Sequence, residues 1–435
     1  MPSRGCAPGP CRRVSRRTAL LAAALTVIAI LLLTLWPLPE QAYQASLSPV
    51  SCLVCGDQGM QDVLQNVLLL VPLGFFLGLA GARPSRAALA GLTLSLIVET
   101  LQYFLVSGRD AAVSDIITNT AGSALGAGLA PHSASLLWPG RRAAAGLGFL
   151  TTLVWSGLWL FGGWALEGDI GAGQWRGRFP GDLPDAPALS GVAVQANING
   201  APLGLAPATL PLEVEQRFGR DSFELRVVIQ PGPPVAWREN VVTIIDVTPS
   251  RHEGNNRLVM TLNRVGALAL LSYRINAARV RLRTPSFNFG PAFDVPVGRT
   301  ATLDISRSRG NLRGTADRDG NRLITDYRIA PELLWAVLAP RTPQPGDRWR
   351  LEPFLWAAGM LAAAGYWSGR SRSRAVIMFA FLWVVLVQVV TPRLFAVAEQ
   401  SPLGWTMFLT ALILGAVAGR LSAASRHIHL SSRHP

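Results

Sequence analysis

Apolar stretches of about 20 residues, the length that crosses a bilayer at about 1.5 Å rise per residue, recur at 18–36, 63–81, 87–106, 114–130, 143–165, 353–369, 375–391 and 402–419. This pattern predicts about eight transmembrane helices. The first run follows Arg12, Arg13, Arg16 and Arg17, but no small-residue cleavage site comes after it, so it reads as an uncleaved helix. The segment 166–351 has a different texture. Alternation at period two in Phe223, Leu225, Val227 and Ile229, in Leu258, Met260 and Leu262, and in Val280 and Leu282 between Arg279, Arg281 and Arg283 predicts half-buried antiparallel strands. Turn signals separate them: PGPP at 231–234, EGNN at 253–256 and DRDG at 317–320, ahead of the short run Leu323 to Tyr327. With almost no helical periodicity in this segment, two packed sheets are the expected solution.

The predicted architecture is an α-helical polytopic membrane protein carrying an all-β extracytoplasmic sandwich between helices five and six. Its parts are a basic N-terminus (1–17), four helices (18–131), a fifth helix (143–165), the sandwich (188–330), three C-terminal helices (353–419) and a tail (420–435).

Charge sets the orientation. Arg4, Arg12, Arg13, Arg16, Arg17, Arg83, Arg86, Arg141, Arg142, Arg370, Arg372, Arg374, Arg420, Arg426 and Arg433 mark alternate span ends, and only Arg109 and Arg393 lie opposite. Positive residues near span ends stay in the cytoplasm, which predicts an inner-membrane, multi-pass protein with both termini cytoplasmic and the β-domain extracytoplasmic. The formal charge of +14 is therefore a topology signal, and nucleic acid is not an expected partner. Trp155, Trp159 and Trp164 approach the outer end of the fifth span, where an aromatic belt is expected.

The 40 basic residues are all arginine, which excludes lysine-based Schiff-base and P-loop chemistry. Four cysteines and five histidines show no zinc spacing, and no HExxH, GxSxG or phosphate loop is present, so no metal or cofactor is expected. Cys52 and Cys55 form CLVC in the first outer loop, compatible with a disulfide or with two thiols. His427, His429 and His434 lie in the polar tail, and His252 sits in a Gly/Asn turn. DRDG reads as a hairpin turn rather than a calcium loop, because position twelve of a loop that begins at Asp317 is Arg328, not Glu.

The positions that need explaining are polar ones inside spans two to four, since ionisable groups in hydrocarbon are costly. Asn66 precedes Pro72 and Gly74. Glu99 and Gln102 share a helical face at i, i+3, as do Asp115 and Asn119 at i, i+4; Gly122 and Gly126 form a small-xxx-small pair. Arg109 lies in the short outer loop between them. Counting rise per residue, Asn66, Glu99 and Asn119 fall about 5–10 Å below their outer helix ends. The expected ligand-binding set is Asn66, Glu99, Gln102, Arg109, Asp115 and Asn119, forming a polar pocket for a membrane lipid or a lipid-linked or amphipathic envelope molecule. A buried ion pair with amide neighbours that only locks three helices together is the competing explanation.

Asn66 with VPLG, then ETLQ, then GRDAAVSDIITNTAGSALG resembles the VanZ family of small bacterial membrane proteins, over residues 18–131. The resemblance implies a multi-pass envelope protein and a contribution to tolerance of glycopeptide antibiotics of the teicoplanin type. It supplies no reaction. An enzyme acting on an envelope lipid or glycan precursor, with Glu99, Arg109 and Asp115 at its site, is the alternative function. From FELRVVIQP through VVTIIDV, the LVMTLNR strand, VRLRTPS and TATLDISRSRGNLRGTADRDGNRL, the outer domain resembles a concanavalin A-like or laminin G-like jelly roll, which implies an extracytoplasmic jelly-roll sandwich and a cell-wall glycan partner; Trp237, Tyr273 and Phe287 are the candidate binding platforms, and core positions are the competing reading for all three. Oligomeric state is not legible.

Overall fold

The computed structural model describes residues 15–35, 54, 58–105, 113–169, 175–178, 191–204, 208–219, 222–232, 241–249, 259–338 and 352–431. They fall into two compact units, 1–139 and 140–435.

The first unit holds α1 (Arg16–Leu35), α2 (Gly59–Leu79), α3 (Pro84–Leu105), α4 (Val113–Leu129) and the short α5 (Ser133–Leu137). Its apolar core is Ala23 and Ile30 of α1, Leu70 and Leu73 of α2, and Leu94 and Val98 of α3. Glycine decides how close α2 and α4 come. A Cβ built on Gly74 would lie 1.8 Å from the carbonyl oxygen of Ser123, one on Gly122 2.3 Å from that of Val67, and one on Gly126 2.0 Å from that of Val71. The two backbones therefore touch, as small residues allow in a membrane bundle. Ser123 also donates to the Ala87 carbonyl at 2.7 Å, tying α4 to α3.

The second unit contains α6 (Arg141–Leu166), α8 (Glu352–Ser371), α9 (Arg374–Leu394) and α10 (Pro402–Ser431), with strands and a short helix, α7 (Leu212–Gly219), between α6 and α8. The helices close around Trp155, Trp159, Leu361, Val384 and Phe408. The expected aromatic belt on α6 is corrected here. Trp155 and Trp159 are 0% and 1% exposed and stack on each other at 5.1 Å, with Phe408 edge-on to Trp159 at 5.3 Å. Their i, i+4 spacing puts both rings on the face that packs inward. A second glycine seam joins α8 to α10, where Cβ atoms on Gly365 and Gly369 would meet the carbonyl oxygens of Leu412 and Ala416 at 2.1 and 2.0 Å.

Among the described residues six helices are long and apolar enough to cross a membrane: α1, α2, α3, α6, α9 and α10. α4, with 17 residues and several hydroxyl, amide and acid side chains, falls outside this set, as does α8.

The β-region is two six-stranded sheets whose paired strands all run antiparallel. One has the order β4 (Ala208–Thr209), β1 (Trp175–Arg178), β6 (Val241–Pro249), β7 (Met260–Val265), β8 (Leu268–Tyr273), β9 (Ser286–Asn288). The other runs β12 (Asn321–Arg328), β11 (Asn311–Arg318), β10 (Ala301–Ser308), β5 (Ser222–Pro231), β2 (Gly191–Ile198), β3 (Ala201–Pro202). Phe223, Leu225, Val227 and Ile229 of β5 all point inward, as their alternation requires. DRDG forms the two-residue hairpin turn: Arg318 pairs with Asn321, and Asp319 and Gly320 take φ of 52° and 87°. Tyr273 and Phe287 are core residues, 1% and 3% exposed. Trp237 and the turns at 233–234 and 253–256 lie outside the described residues.

Two expectations for this region fail. Val280 and Leu282 do not lie in a strand. Asn276–Val280 is a 3₁₀ turn that ends on Arg281 in the left-handed region at φ 54°, with the Leu282 amide donating to the Ala277 carbonyl. The turn is held by side chains that alternation does not register: Arg274 and Arg279 both bond the half-buried Asp169, and Asn276 bonds the Trp164 carbonyl and Glu167. The second exception is α7, whose eight residues are too few for a periodic signal to emerge from a β-rich background.

These contacts fasten the sandwich to the helices of its own unit. Glu167, just past α6, accepts from Asn276 through one carboxylate oxygen and from the Ala396 amide, beyond α9, through the other. The Ala398 amide donates to the Ile329 carbonyl at 2.9 Å, and Arg328 bonds the Glu399 carbonyl.

Candidate functional site

The polar residues chosen from spans two to four converge. A cavity of about 50 Å³, room for only a few water molecules, lies among the first four helices. Asn66 enters from α2, Glu99 and Gln102 from α3, and Asp115 and Asn119 from α4. Arg109 lies outside the described residues, as do Cys52 and Cys55.

Each group reaches the cavity for a local reason. On α3 the spacing of Ser95, Glu99 and Gln102 puts all three on one face, and they are 2%, 7% and 5% exposed. On α4 the glycines turn toward α2, which brings the adjoining Asp115–Asn119 face alongside α3. The Asn119 amide nitrogen donates to Ser95 Oγ at 2.9 Å, while its Oδ1, buried with the rest of a side chain only 7% exposed, has no hydrogen-bond partner among the described residues. Gln102 Nε2 donates to the Thr34 carbonyl at 3.0 Å and so ties α3 to α1. Ser114 donates to Asp115 at 3.2 Å.

Two lining residues, Ser95 and Thr34, and one neighbour outside the lining, Asp62, are absent from the predicted set. Ser95 stands one turn before Glu99, and that i, i+4 spacing was a signal available in the sequence. Thr34 takes part through its backbone carbonyl, which no side-chain pattern reports. Asp62, one turn before Asn66, lies close enough to Asp115 for the two charges to repel. The described arginines of this unit stand at the opposite helix ends: Arg16 and Arg17 open α1, and Arg83 and Arg86 flank the start of α3.

Chemically the cavity offers carboxylate, carboxamide and hydroxyl groups against an apolar lining from α1, α2 and α3. Among the described residues no group of three His, Cys, Asp or Glu comes together as a metal donor set. An unpaired acceptor in a low-dielectric setting costs roughly 1–3 kcal/mol, so Asn119 Oδ1 favours a donor, from water or from a ligand.

No curated protein and no solved structure gives a significant match to this chain. A family model described as VanZ/LLP1 matches residues 22–137, which reach from α1 through α5 and include every residue lining the cavity, so this part of the chain is VanZ-like and the whole is a membrane protein with a β-sandwich-like second region.

Proposed function

We propose that the protein is a VanZ-like component of the bacterial cell envelope that binds a lipid-linked or amphipathic molecule by seating one hydroxyl or ammonium group of its polar head in the cavity among α1, α2, α3 and α4. The observation that carries this reading is the convergence of Asn66, Glu99, Gln102, Asp115 and Asn119 on one cavity, with a buried acceptor of Asn119 left for a donor. A lock of three helices needs only mutual pairing, whereas an unpaired acceptor facing a space suits a third party. Arg109, on the α3–α4 connection, belongs to the proposed set as a group for an anionic part of the ligand. The head presents hydroxyl or ammonium hydrogens to the acceptors, and its apolar chain remains in the bilayer.

The same reading places the protein in the plasma membrane with both termini cytoplasmic and the β-region outside. It assigns the β-region to the concanavalin A-like or laminin G-like type, contacting a wall glycan, and it makes the protein a contributor to teicoplanin tolerance. The test is a deletion strain challenged with teicoplanin, vancomycin and detergents, complemented by wild type or by Glu99→Gln. Glu99→Gln is expected to reach the membrane at wild-type abundance and to lose at least tenfold in complementing efficiency. Full complementation would leave the polar cluster as helix-locking structure only.

A further inference from the structure

The four long helices of the second unit follow the first four in a common register. The first pair opens alike, on Arg16 and Arg17 in α1 and on Arg141 and Arg142 in α6. At that offset the buried residues of α1, Ala19, Ala23 and Ile30, fall on Ala144, Gly148 and Trp155 of α6, all three buried. Three contacts of the two seams correspond. Gly74 meets the Ser123 carbonyl as Gly365 meets that of Leu412; Gly78 meets Ala127 as Gly369 meets Ala416; Gly126 meets Val71 as Gly415 meets Ala362. These three pairs of contacts fix the alignment of α2 on α8 and of α4 on α10. The same α4-to-α10 offset carries Val113, the first residue of α4, onto Pro402, the first of α10. Applied to α3 and α9, it places all five buried residues of α9, namely Ala380, Val384, Val387, Gln388 and Thr391, on Gly91, Ser95, Val98, Glu99 and Gln102, and each of those is buried too.

We infer that α6, α8, α9 and α10 are a second copy of the α1–α4 bundle, with the β-sandwich occupying its first connection and its polar site converted to packing. Parallel duplications of helical modules are a known way to build membrane proteins. The counterparts of the cavity residues show the conversion. Glu99 and Gln102 correspond to Gln388 and Thr391, which keep the i, i+3 spacing and lose the charge. Asn66 becomes Ala357 and Asn119 becomes Phe408, both 0% exposed, and Thr34 becomes Trp159. Aromatic rings fill what is a cavity in the first copy. Gln388, 2% exposed, has neither amide atom hydrogen-bonded among the described residues, which fits a polar residue left behind when its surroundings turned apolar.

The test compares Gln388→Met, Gln388→Glu and Glu99→Gln in the full-length protein by membrane abundance, melting temperature in detergent and complementation of the deletion strain. Gln388→Met is expected to melt a few degrees above wild type and to complement fully, because an unsatisfied amide gives way to an apolar chain of similar size. Gln388→Glu is expected to fall several-fold in abundance, since no polar cavity receives the carboxylate. Loss of complementation by Gln388→Met at normal abundance would make the second copy a working site and overturn the conversion; so would a Gln388→Glu protein as abundant and as stable as wild type. The melting and abundance readings do not use the ligand, so failure of Glu99→Gln to show a phenotype overturns the proposed function without deciding this one.

Discussion

Replacing Gly126 by valine is expected to remove most of the folded protein from the membrane. The atoms in the way are backbone: the Val71 carbonyl oxygen at 2.0 Å and the Phe75 amide nitrogen at 2.7 Å from the new Cβ. Neither moves aside by a rotamer change, so α2 and α4 must separate along the seam and give up the packing on both sides of it. Forced overpacking of this kind costs about 3 kcal/mol, a large share of the roughly 5–15 kcal/mol that holds a domain folded. Gly128, two residues along the same helix, is the control. Its Cβ would meet nothing within 4 Å, and Gly128→Val is expected to leave abundance and melting temperature within error of wild type. Size-exclusion profiles of tagged variants, followed by thermal melts, separate the outcomes. Equal profiles for the two variants would mean that α2 and α4 do not touch as described. Gly415→Val, 2.1 Å from the Ala362 carbonyl oxygen, is expected to behave like Gly126→Val.

The second large effect concerns acidity. Glu332 lies in the 3₁₀ turn Pro331–Val337 between the sandwich and α8; Trp356 donates to its backbone carbonyl at 3.0 Å, and its Oε2 has no hydrogen-bond partner among the described residues. Burial pushes its carboxyl from the ordinary 4.5 up to about 7, against the opposing pulls of a backbone hydrogen bond and of Arg328. The folded state thus holds a proton that the unfolded chain releases. Below about pH 4.5 both states are protonated and the residue costs nothing. Between about 4.5 and 7 only the unfolded chain ionises, so stability falls with rising pH; above 7 the loss is constant. At about 1.4 kcal/mol per pH unit, the loss is on the order of 3 kcal/mol. Glu332→Gln is expected to regain most of it at pH 8, to change little at pH 4, and to flatten the dependence between. Chemical or thermal melts of the full-length protein across this range check it, and parallel pH profiles for the two proteins would contradict it.

Much of this architecture was legible in the chain, for identifiable reasons. Runs of about 20 apolar residues have few alternatives to a long helix, and the expected boundaries fall within a few residues of the helices, α10 excepted at its C-terminal end. The polar stretch that follows, ending at Ser431, continues the helix past the apolar one. Helical spacing alone put Glu99 with Gln102 and Asp115 with Asn119 on single faces. It could not say that the two faces meet, because that depends on how closely α4 approaches its neighbours. The contact through the Thr34 carbonyl was invisible, since every residue has one. Alternation misled at Val280 and Leu282, where three interspersed arginines imitate the exposed positions of a strand while Asp169 and Glu167 impose a turn from far along the chain. The tryptophans of α6 misled in the opposite sense, since large amphipathic rings suit a bilayer interface and a bundle interior equally well.

The two oxygens of Glu167 clamp different partners, one on the sandwich side at Asn276 and one at Ala396 beyond α9. With Ala398 bonded to Ile329 as well, the base of the sandwich is tied to the segment beyond α9 at two points. A sideways load on it is therefore passed to α6 and α9 through these hydrogen bonds, as by a lever arm set into the bundle rather than a bead on a string.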